Sequence, residues 1–90
     1  MRIQSTNKEE AEQLALAALS WTLSEAARAQ RLLALTGLTP DELRSRLGER
    51  SLLAAILQFL EAHEPDLIAC AEALETSPSA LVEARRTLER

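Results

Sequence analysis

The sequence predicts an all-α fold, a compact bundle or array of five to six short antiparallel helices. Among its 90 residues, 18 are Leu and 16 are Ala, whereas Ile and Val together contribute four and aromatic residues only two. Leu and Ala favour helices, and strands draw on β-branched and aromatic residues. This composition excludes a β-sandwich, a barrel and a doubly wound sheet. The two glycines also exclude most glycine-dependent phosphate loops.

The first helix is predicted to begin at a cap formed by Thr6 or Asn7 and to end near Leu23. Residues 1–7 carry no periodic apolar pattern, and we expect them to be extended or disordered. A single domain then covers residues 8–90, as the length of the chain indicates. Apolar residues occupy most of the circumference of this first helix, which is typical of a helix packed on several sides.

A second helix is predicted from Glu25 to about Thr36, with Ser24 as its N-cap. Neither Gly nor Pro separates it from the first helix, so the sequence leaves open whether the two are continuous. The side chains predicted to face inward are Leu32, Leu33 and Leu35, and those predicted to face outward are Arg28 and Arg31.

A short third helix follows the left-handed end residue Gly37. Its start is the clearest local signal in the chain, because Thr39 caps, Pro40 stands at the first helical position and Glu42 completes a capping box. The helix is predicted to end at Gly48. We expect Leu43 and Leu47 to face inward.

Three more helices are predicted in the second half of the chain. They cover Ser51 to His63, the segment that Pro65 begins, and Pro78 to about Leu88 with Ser77 as the cap. The segment Leu52–Leu60, together with the helix around Trp21, should dominate the core.

A short sequence pattern recurs once in the chain at an offset of 38 residues. Thr39-Pro40 corresponds to Ser77-Pro78, and Trp21 corresponds to Phe59. Two hypotheses explain this: a cap followed by Pro is a common way for helices to begin, or a helical hairpin is duplicated. Two copies are too few for a solenoid.

The charge is unevenly distributed along the chain. The formal net charge is −4, yet residues 51–77 carry five acids and no Lys or Arg, whereas residues 24–50 carry a net charge of +1. The spacing predicts the local ion pairs Glu25–Arg28 and Glu42–Arg46. The overall acidity disfavours nonspecific binding to nucleic acid or to an anionic membrane.

The compartment is predicted from cysteine usage and the absence of targeting signals in this sequence. A single Cys cannot form an internal disulfide, which favours a reducing cytoplasm. The start of the sequence is too polar for a signal peptide, and its longest apolar runs are too short to span a bilayer. We therefore expect a cytoplasmic protein.

The side chains that could carry catalysis do not form a recognisable motif. His63, the only His, stands among acids at a helix end, where a charge interaction is a simpler explanation than a metal site with three or four ligands. Cys70 lies on an apolar helix side and lacks a basic sequence neighbour that would activate it. We predict no catalytic residue, no cofactor and no metal, and thus no enzyme.

The favoured function is a small protein-interaction module that acts through an exposed aliphatic surface and binds itself or another protein. An aliphatic surface left uncovered by a thin bundle is typical of a dimer or partner contact. The competing explanation is that the same side chains pack on one another in the core. The residues predicted for the surface are Trp21, Leu52, Leu53 and Phe59.

The alternative function is nucleic-acid binding by a helix-turn-helix-like pair over residues 67–88. The spacing of apolar residues fits such a pair, but Glu75 stands where the turn normally has Gly. The contact residues of this alternative would be Ser79, Arg85 and Arg86. The last helix is almost neutral overall, which weakens the hypothesis.

The chain resembles a small bacterial family known only as a domain of unknown function. The resemblance rests on residues 33–44, 52–60 and 15–21, continues through the closing helix and covers about residues 8–90. It implies an all-helical domain and carries over no catalytic residue. The chain departs from the family pattern at Glu75, where Gly is expected, and near Arg50, where Pro is expected; both departures concern turns.

Overall fold

A computed structural model describes the backbone of residues 3–90 and the side chains from Lys8 onward. Over these residues the chain forms six helices and no strand, which confirms the all-α prediction. The helices are α1 (Ile3–Leu23), α2 (Ala26–Thr36), α3 (Pro40–Ser45), α4 (Arg50–Glu61), α5 (Glu64–Ala73) and α6 (Pro78–Glu89).

Helix α1 begins earlier than the sequence predicts. Its backbone is helical from Ile3, so residues 3–7 are not extended, and the remainder of the predicted N-terminal segment, residues 1–2, lies outside the described residues. No Gly or Pro interrupts this stretch. Because adding a residue to an existing helix is far easier than nucleating one, α1 can extend past the predicted cap.

Helices α1 and α2 are separate, and Ser24 does not cap α2 as predicted. Its hydroxyl donates a 2.6 Å hydrogen bond to the carbonyl of Trp21, at the end of α1. The N-cap of α2 is Glu25, whose side chain makes no capping hydrogen bond. The break therefore depends on contacts at the end of α1.

The core is built around α4. This helix contacts α1, α2, α5 and α6, and α6 packs extensively against both α1 and α4. On α4 the fully or almost fully buried side chains are Leu52, Leu53, Ala54, Ile56, Leu57, Phe59 and Leu60. The prediction that Leu52–Leu60 dominates the core is confirmed.

Both predicted cap-and-Pro starts are confirmed. The Thr39 hydroxyl accepts from the backbone amide of Glu42, and the Glu42 carboxylate accepts from the amide of Thr39, so the capping box is complete. Ser77 accepts from the amide of Ala80 at the start of α6. Because Glu42 serves the cap, the predicted Glu42–Arg46 pair is wrong, and Arg46 pairs with Glu49 at 2.8 Å instead.

The 38-residue offset of the sequence pattern is also found between the ends of the helices. Helix α1 ends at Leu23 and α4 at Glu61, while α2 begins at Ala26 and α5 at Glu64. Helices α3 and α6 begin at Pro40 and Pro78. The residues before these two caps also correspond, because Gly37 and Glu75 both have positive φ values, 74° and 58°. The first three helices and the last three therefore share one sequence of helix ends and turns.

The two halves differ at their third helix. Helix α6 has 12 residues and buries Leu81, Ala84 and Leu88, whereas α3 has six residues and buries only Leu43. Helix α2 likewise buries only Leu32. The prediction that Leu35 faces inward is wrong, because its side chain is 73% exposed. We call α2 and α3 together the α2–α3 arm.

Candidate functional site

Three of the four residues predicted for an exposed surface are buried. Leu52 and Leu53 are each 2% exposed and Phe59 is 7% exposed, so the prediction that they form a surface is wrong. The reason is the central position of α4, whose apolar face is covered by several helices at once. These residues belong to the core.

The fourth residue, Trp21, is partly buried and covered by Arg28. The Arg28 guanidinium lies 3.7 Å from the centroid of the indole ring and donates a 2.7 Å hydrogen bond to the Trp21 carbonyl. It also donates to the Ser24 hydroxyl and pairs with Glu25, as predicted for that ion pair. Arg28 is therefore not simply outward-facing: it satisfies the end of α1 and shields the indole.

An open groove lies between the α2–α3 arm and α4. Its volume is about 460 Å³. The residues that line it are Leu35, Thr36, Leu38, Arg46, Ser51, Leu52, Ala55, Gln58, Phe59 and Ala62. Four of these follow one side of α4 at helical spacing: Ser51, Ala55, Gln58 and Ala62. The floor of the groove is thus a strip along α4 and its C-cap in which Ser51, Ala55 and Ala62 are small, whereas the longer Gln58 donates a hydrogen bond to Glu89 of α6.

The groove is mainly apolar, and its single charged lining residue is a cation. Leu52 and Phe59 contribute the edges of buried side chains, whereas Leu35 stands at the border, largely in solvent. Arg46 lines the groove while its Nε donates to Glu49. Among the described residues, no carboxylate lines the groove, although the sequence has 14 acidic residues against ten Lys and Arg.

Arg31 links the arm to the rest of the protein beside this groove. Its guanidinium pairs with Asp66 of α5 and lies 5.9 Å from the centroid of the Phe59 ring. His63 Nδ1 lies 3.1 Å from the same carboxylate of Asp66. The only His is thereby placed beside the Arg31–Asp66 ion pair that joins α2 to α5.

The residues of the nucleic-acid alternative make internal contacts. Arg85 pairs with Glu61 at 2.6 Å and with Glu89 at 2.8 Å, which raises its pKa. Arg86 pairs with Glu83, and the Ser79 hydroxyl lies 3.2 Å from that of Ser77. Carboxylates of the chain itself thus neutralise both arginines of α6.

The two side chains considered as candidates for chemistry, His63 and Cys70, are placed by the structure beside the ion pair of Asp66 and in the core. Burial raises the pKa of the Cys70 thiol to about 11, and nearby Arg28 opposes this only in part, so the nucleophilic thiolate is scarce at neutral pH. Within the described part of the chain, no three His, Cys, Asp or Glu residues cluster as metal ligands do. In the same part, no helix has both the length and the hydropathy needed to cross a bilayer.

Sequence reasoning missed the groove. The residues of its floor, Ser51, Ala55, Gln58 and Ala62, follow one another at intervals of four, three and four. This helical spacing was a signal in the sequence for a weakly polar strip along α4. Its border depends on how closely α2 approaches α4, which is a tertiary contact. No local pattern predicts that distance.

Residues 8–90 match the model of the family described as "Protein of unknown function (DUF3572)". No curated protein and no solved structure matches the chain.

Proposed function

We propose that this chain, which belongs to the DUF3572 family of proteins of unknown function, is a small protein-interaction module whose contact surface is the groove between the α2–α3 arm and α4. The observation that carries the proposal is the exposure of Leu35 at the border of an apolar groove. Its side chain, on α2, is 73% exposed, whereas all the leucines of the neighbouring α4 are buried. A partner that covered Leu35 would remove apolar surface from water, which is the main driving force of association.

The shape of the groove favours a protein segment. Small residues at Ser51, Ala55 and Ala62 let another backbone approach α4 closely, and the groove is open to solvent. Shallow apolar grooves with this lining accept the apolar face of an amphipathic helix. Small-molecule sites are generally deeper and enclose most of their ligand.

A binding role also fits the titratable groups better than catalysis does. The thiol of Cys70 is buried, and the imidazole of His63 is held by Asp66 at 3.1 Å. Neither group borders the groove. We propose that the module has no catalytic activity of its own and works in the cytoplasm, where a lone reduced cysteine is stable.

Nucleic-acid binding by α5 and α6 is the second candidate. The observation in its favour is the turn between these helices, where Glu75 adopts the left-handed conformation that helix-turn-helix proteins usually give to Gly. Against it stand the ion pairs of Arg85 and Arg86 with the chain's own carboxylates. Titration of duplex DNA at two salt concentrations separates the candidates: salt-sensitive binding supports this alternative, and no binding at low salt removes it.

Site-specific photo-crosslinking tests the proposed groove. The photoreactive amino acid p-benzoylphenylalanine replaces Leu35, and in a matched control it replaces the exposed Lys8, in cells that naturally make the protein. We expect a protein adduct from position 35 that is absent from position 8, because only Leu35 borders the groove. Equal adducts at both positions, or none at position 35, would remove the groove as the contact surface.

A further inference from the structure

We propose that the groove accepts the outer face of α5 from a second copy of this chain. This inference rests on the proposed function, because it names the partner of the same groove. Three features carry it: the short third helix of the first half of the molecule, the exposed side chains of α5, and the charges on the two faces.

The comparison of the two halves indicates that part of α4 is left without a packing helix. In the second half, the third helix, α6, continues for 12 residues and packs its apolar side against α1 and α4. In the first half, the corresponding helix α3 stops at Ser45, and among the described residues it has no comparable contact with another helix. The groove opens at this point, between the end of α3 at Arg46 and the small-residue strip of α4. A helix is therefore the element that would complete the packing.

Helix α5 presents a face suited to such a groove. Ile68, at the middle of the helix, is 43% exposed, and Ala69 and Ala73 beside it are exposed as well. The exposed carboxylates of Glu64 and Glu72 lie four residues before and after Ile68, one turn away on the same side. The face is thus a small apolar ridge with an acid at each end.

The dimensions of the two faces correspond. The strip from Ser51 to Ala62 is about 16 Å long at 1.5 Å per residue, and the ten residues of α5 are about 15 Å long. The small side chains of Ser51 and Ala55 leave room at one end of the strip, before Gln58, for the larger Ile68 of the second copy. One large side chain set against small ones is the normal basis of close helix packing.

The charges of the two faces are complementary. Arg50, the first residue of α4, adjoins the groove and has no ion-pair partner among the described residues, whereas Arg46 lines the groove but already pairs with Glu49. On α5, Glu64 and Glu72 have no ion-pair partner within the same part of the chain, and the whole segment 51–77 contains no Lys or Arg. Opposite charges at the rim favour this pairing over one groove against another.

A two-fold axis would let both copies make the contact at once. The groove and α5 lie on adjoining parts of the molecule, since Arg31 at the edge of α2 pairs with Asp66 of α5. In a two-fold dimer each α5 occupies the groove of the other copy, so the contact occurs twice and the assembly is closed. The expected product is a dimer, not a filament.

Charge-swap variants studied by sedimentation equilibrium test the inference on the purified protein. We expect the wild type to dimerise between about 10 µM and about 500 µM, the affinity range of small interfaces. Arg50→Glu and Glu72→Arg should each weaken dimerisation by about tenfold or more, and the double variant should regain it. Arg44→Glu and Glu83→Arg are the matched controls, because these exposed residues lie outside both faces, and neither should change the dimer.

The helical circular dichroism signal shows whether each variant is folded. Leu35→Asp is a second variant that leaves the core intact, because Leu35 is largely in solvent. We expect Leu35→Asp to be folded and monomeric. A wild type that stays monomeric over the whole range, or a dimer that none of these variants weakens, would overturn the inference.

Crosslinking from position 35 distinguishes failure of this inference from failure of the proposed function. A mixture of ¹⁵N-labelled and unlabelled protein should give adducts between copies, with fragments that place the link within Glu64–Ala73. A link from position 35 to a different protein in cells, with none between copies, would overturn the inference and leave the proposed function standing. No adduct specific to position 35 in either experiment would overturn both.

Discussion

Helices α3 and α6 occupy corresponding places in the two halves of the molecule, yet they differ in length and in how much they contribute to the core. Both begin with a capping hydroxyl followed by Pro, and both bury a Leu at the same position, Leu43 and Leu81. Helix α6 continues for six more residues and closes the core over α1 and α4. Helix α3 stops, and the side of α4 next to it stays open as the groove. A difference in the length of one helix thus separates a closed part of the core from a part in which one side of α4 stays open.

The comparison predicts its largest effect at the two corresponding leucines. Leu81→Ala should lower the free energy of unfolding by about 3–4 kcal/mol, because it leaves a cavity where α6 packs on α1 and α4. Leu43→Ala should cost about 2 kcal/mol or less, since fewer neighbours surround α3 and the site can collapse. Urea unfolding of both variants measures the difference. Equal losses would show that the arm is as firmly packed as the core.

The next effect concerns the aromatic residues that correspond in the repeat. Arg28→Ala should cost about 1–2 kcal/mol, because it removes a guanidinium stacked on Trp21 at 3.7 Å and its hydrogen bond to the end of α1. Arg31→Ala should cost about 0.5 kcal/mol, since its guanidinium is more exposed and lies 5.9 Å from the Phe59 ring. In Arg28→Ala the fluorescence of the only Trp should also shift to the red. An unchanged spectrum would mean that Arg28 does not shield the indole.

Loss of the two helix caps is expected to have different effects, one on global stability and the other on local helix opening. Ser77→Ala and Thr39→Ala each remove a hydroxyl that accepts from a backbone amide, at a cost of about 1 kcal/mol to the local helix. Because α6 is part of the core, Ser77→Ala should lower global stability by this amount. Thr39→Ala should mainly speed amide exchange within α3. A global loss from Thr39→Ala equal to that from Ser77→Ala would contradict the division into core and arm.

The smallest effect is expected at the turns that precede the two caps. Glu75 has a φ of 58°, a conformation that costs a residue with a side chain about 1 kcal/mol or more, whereas Gly37 adopts a φ of 74° freely. Glu75→Gly should raise the free energy of unfolding by about 0.5 kcal/mol, after the larger entropy of Gly in the unfolded chain is subtracted. Gly37→Ala should lower stability. Thermal unfolding of the pair measures both signs, and a loss from Glu75→Gly would show that its side chain makes a stabilising contact.

Much of the helix pattern could be predicted from local sequence. Thr39, Pro40 and Glu42 satisfy the backbone groups of a helix start without help from distant residues, and Ser77 acts in the same way. The sequence showed that Glu75 stands where Gly is expected, but it did not predict that Glu75 would adopt the left-handed conformation seen in the structure. The start of α2 was misplaced because Ser24 bonds back to Trp21 instead of capping the next helix.

The candidate site could not be predicted in this way. Leu35 is an apolar residue three positions after the buried Leu32, which favours an inward side chain, yet it lies at the edge of the buried side of α2 and is 73% exposed. Leu52, Leu53 and Phe59 appeared too apolar for a thin bundle, but four neighbouring helices cover α4. Exposure is a property of the whole assembly of helices, which sequence periodicity does not contain.

The central claim is that α1, α4 and α6 stabilise the fold while the α2–α3 arm and α4 form a contact surface. Amide-resolved hydrogen exchange of the wild type, measured in dilute and in concentrated solution, tests this claim most directly. In dilute solution, amides of α4 and α6 should exchange only through global unfolding, and those of α3 and the end of α2 through openings at least about 2 kcal/mol less costly. In concentrated solution the amides around Leu35 should become slower while those of α6 change little. Uniform protection of arm and core in dilute solution, with no slowing around Leu35 on concentration, would contradict the account.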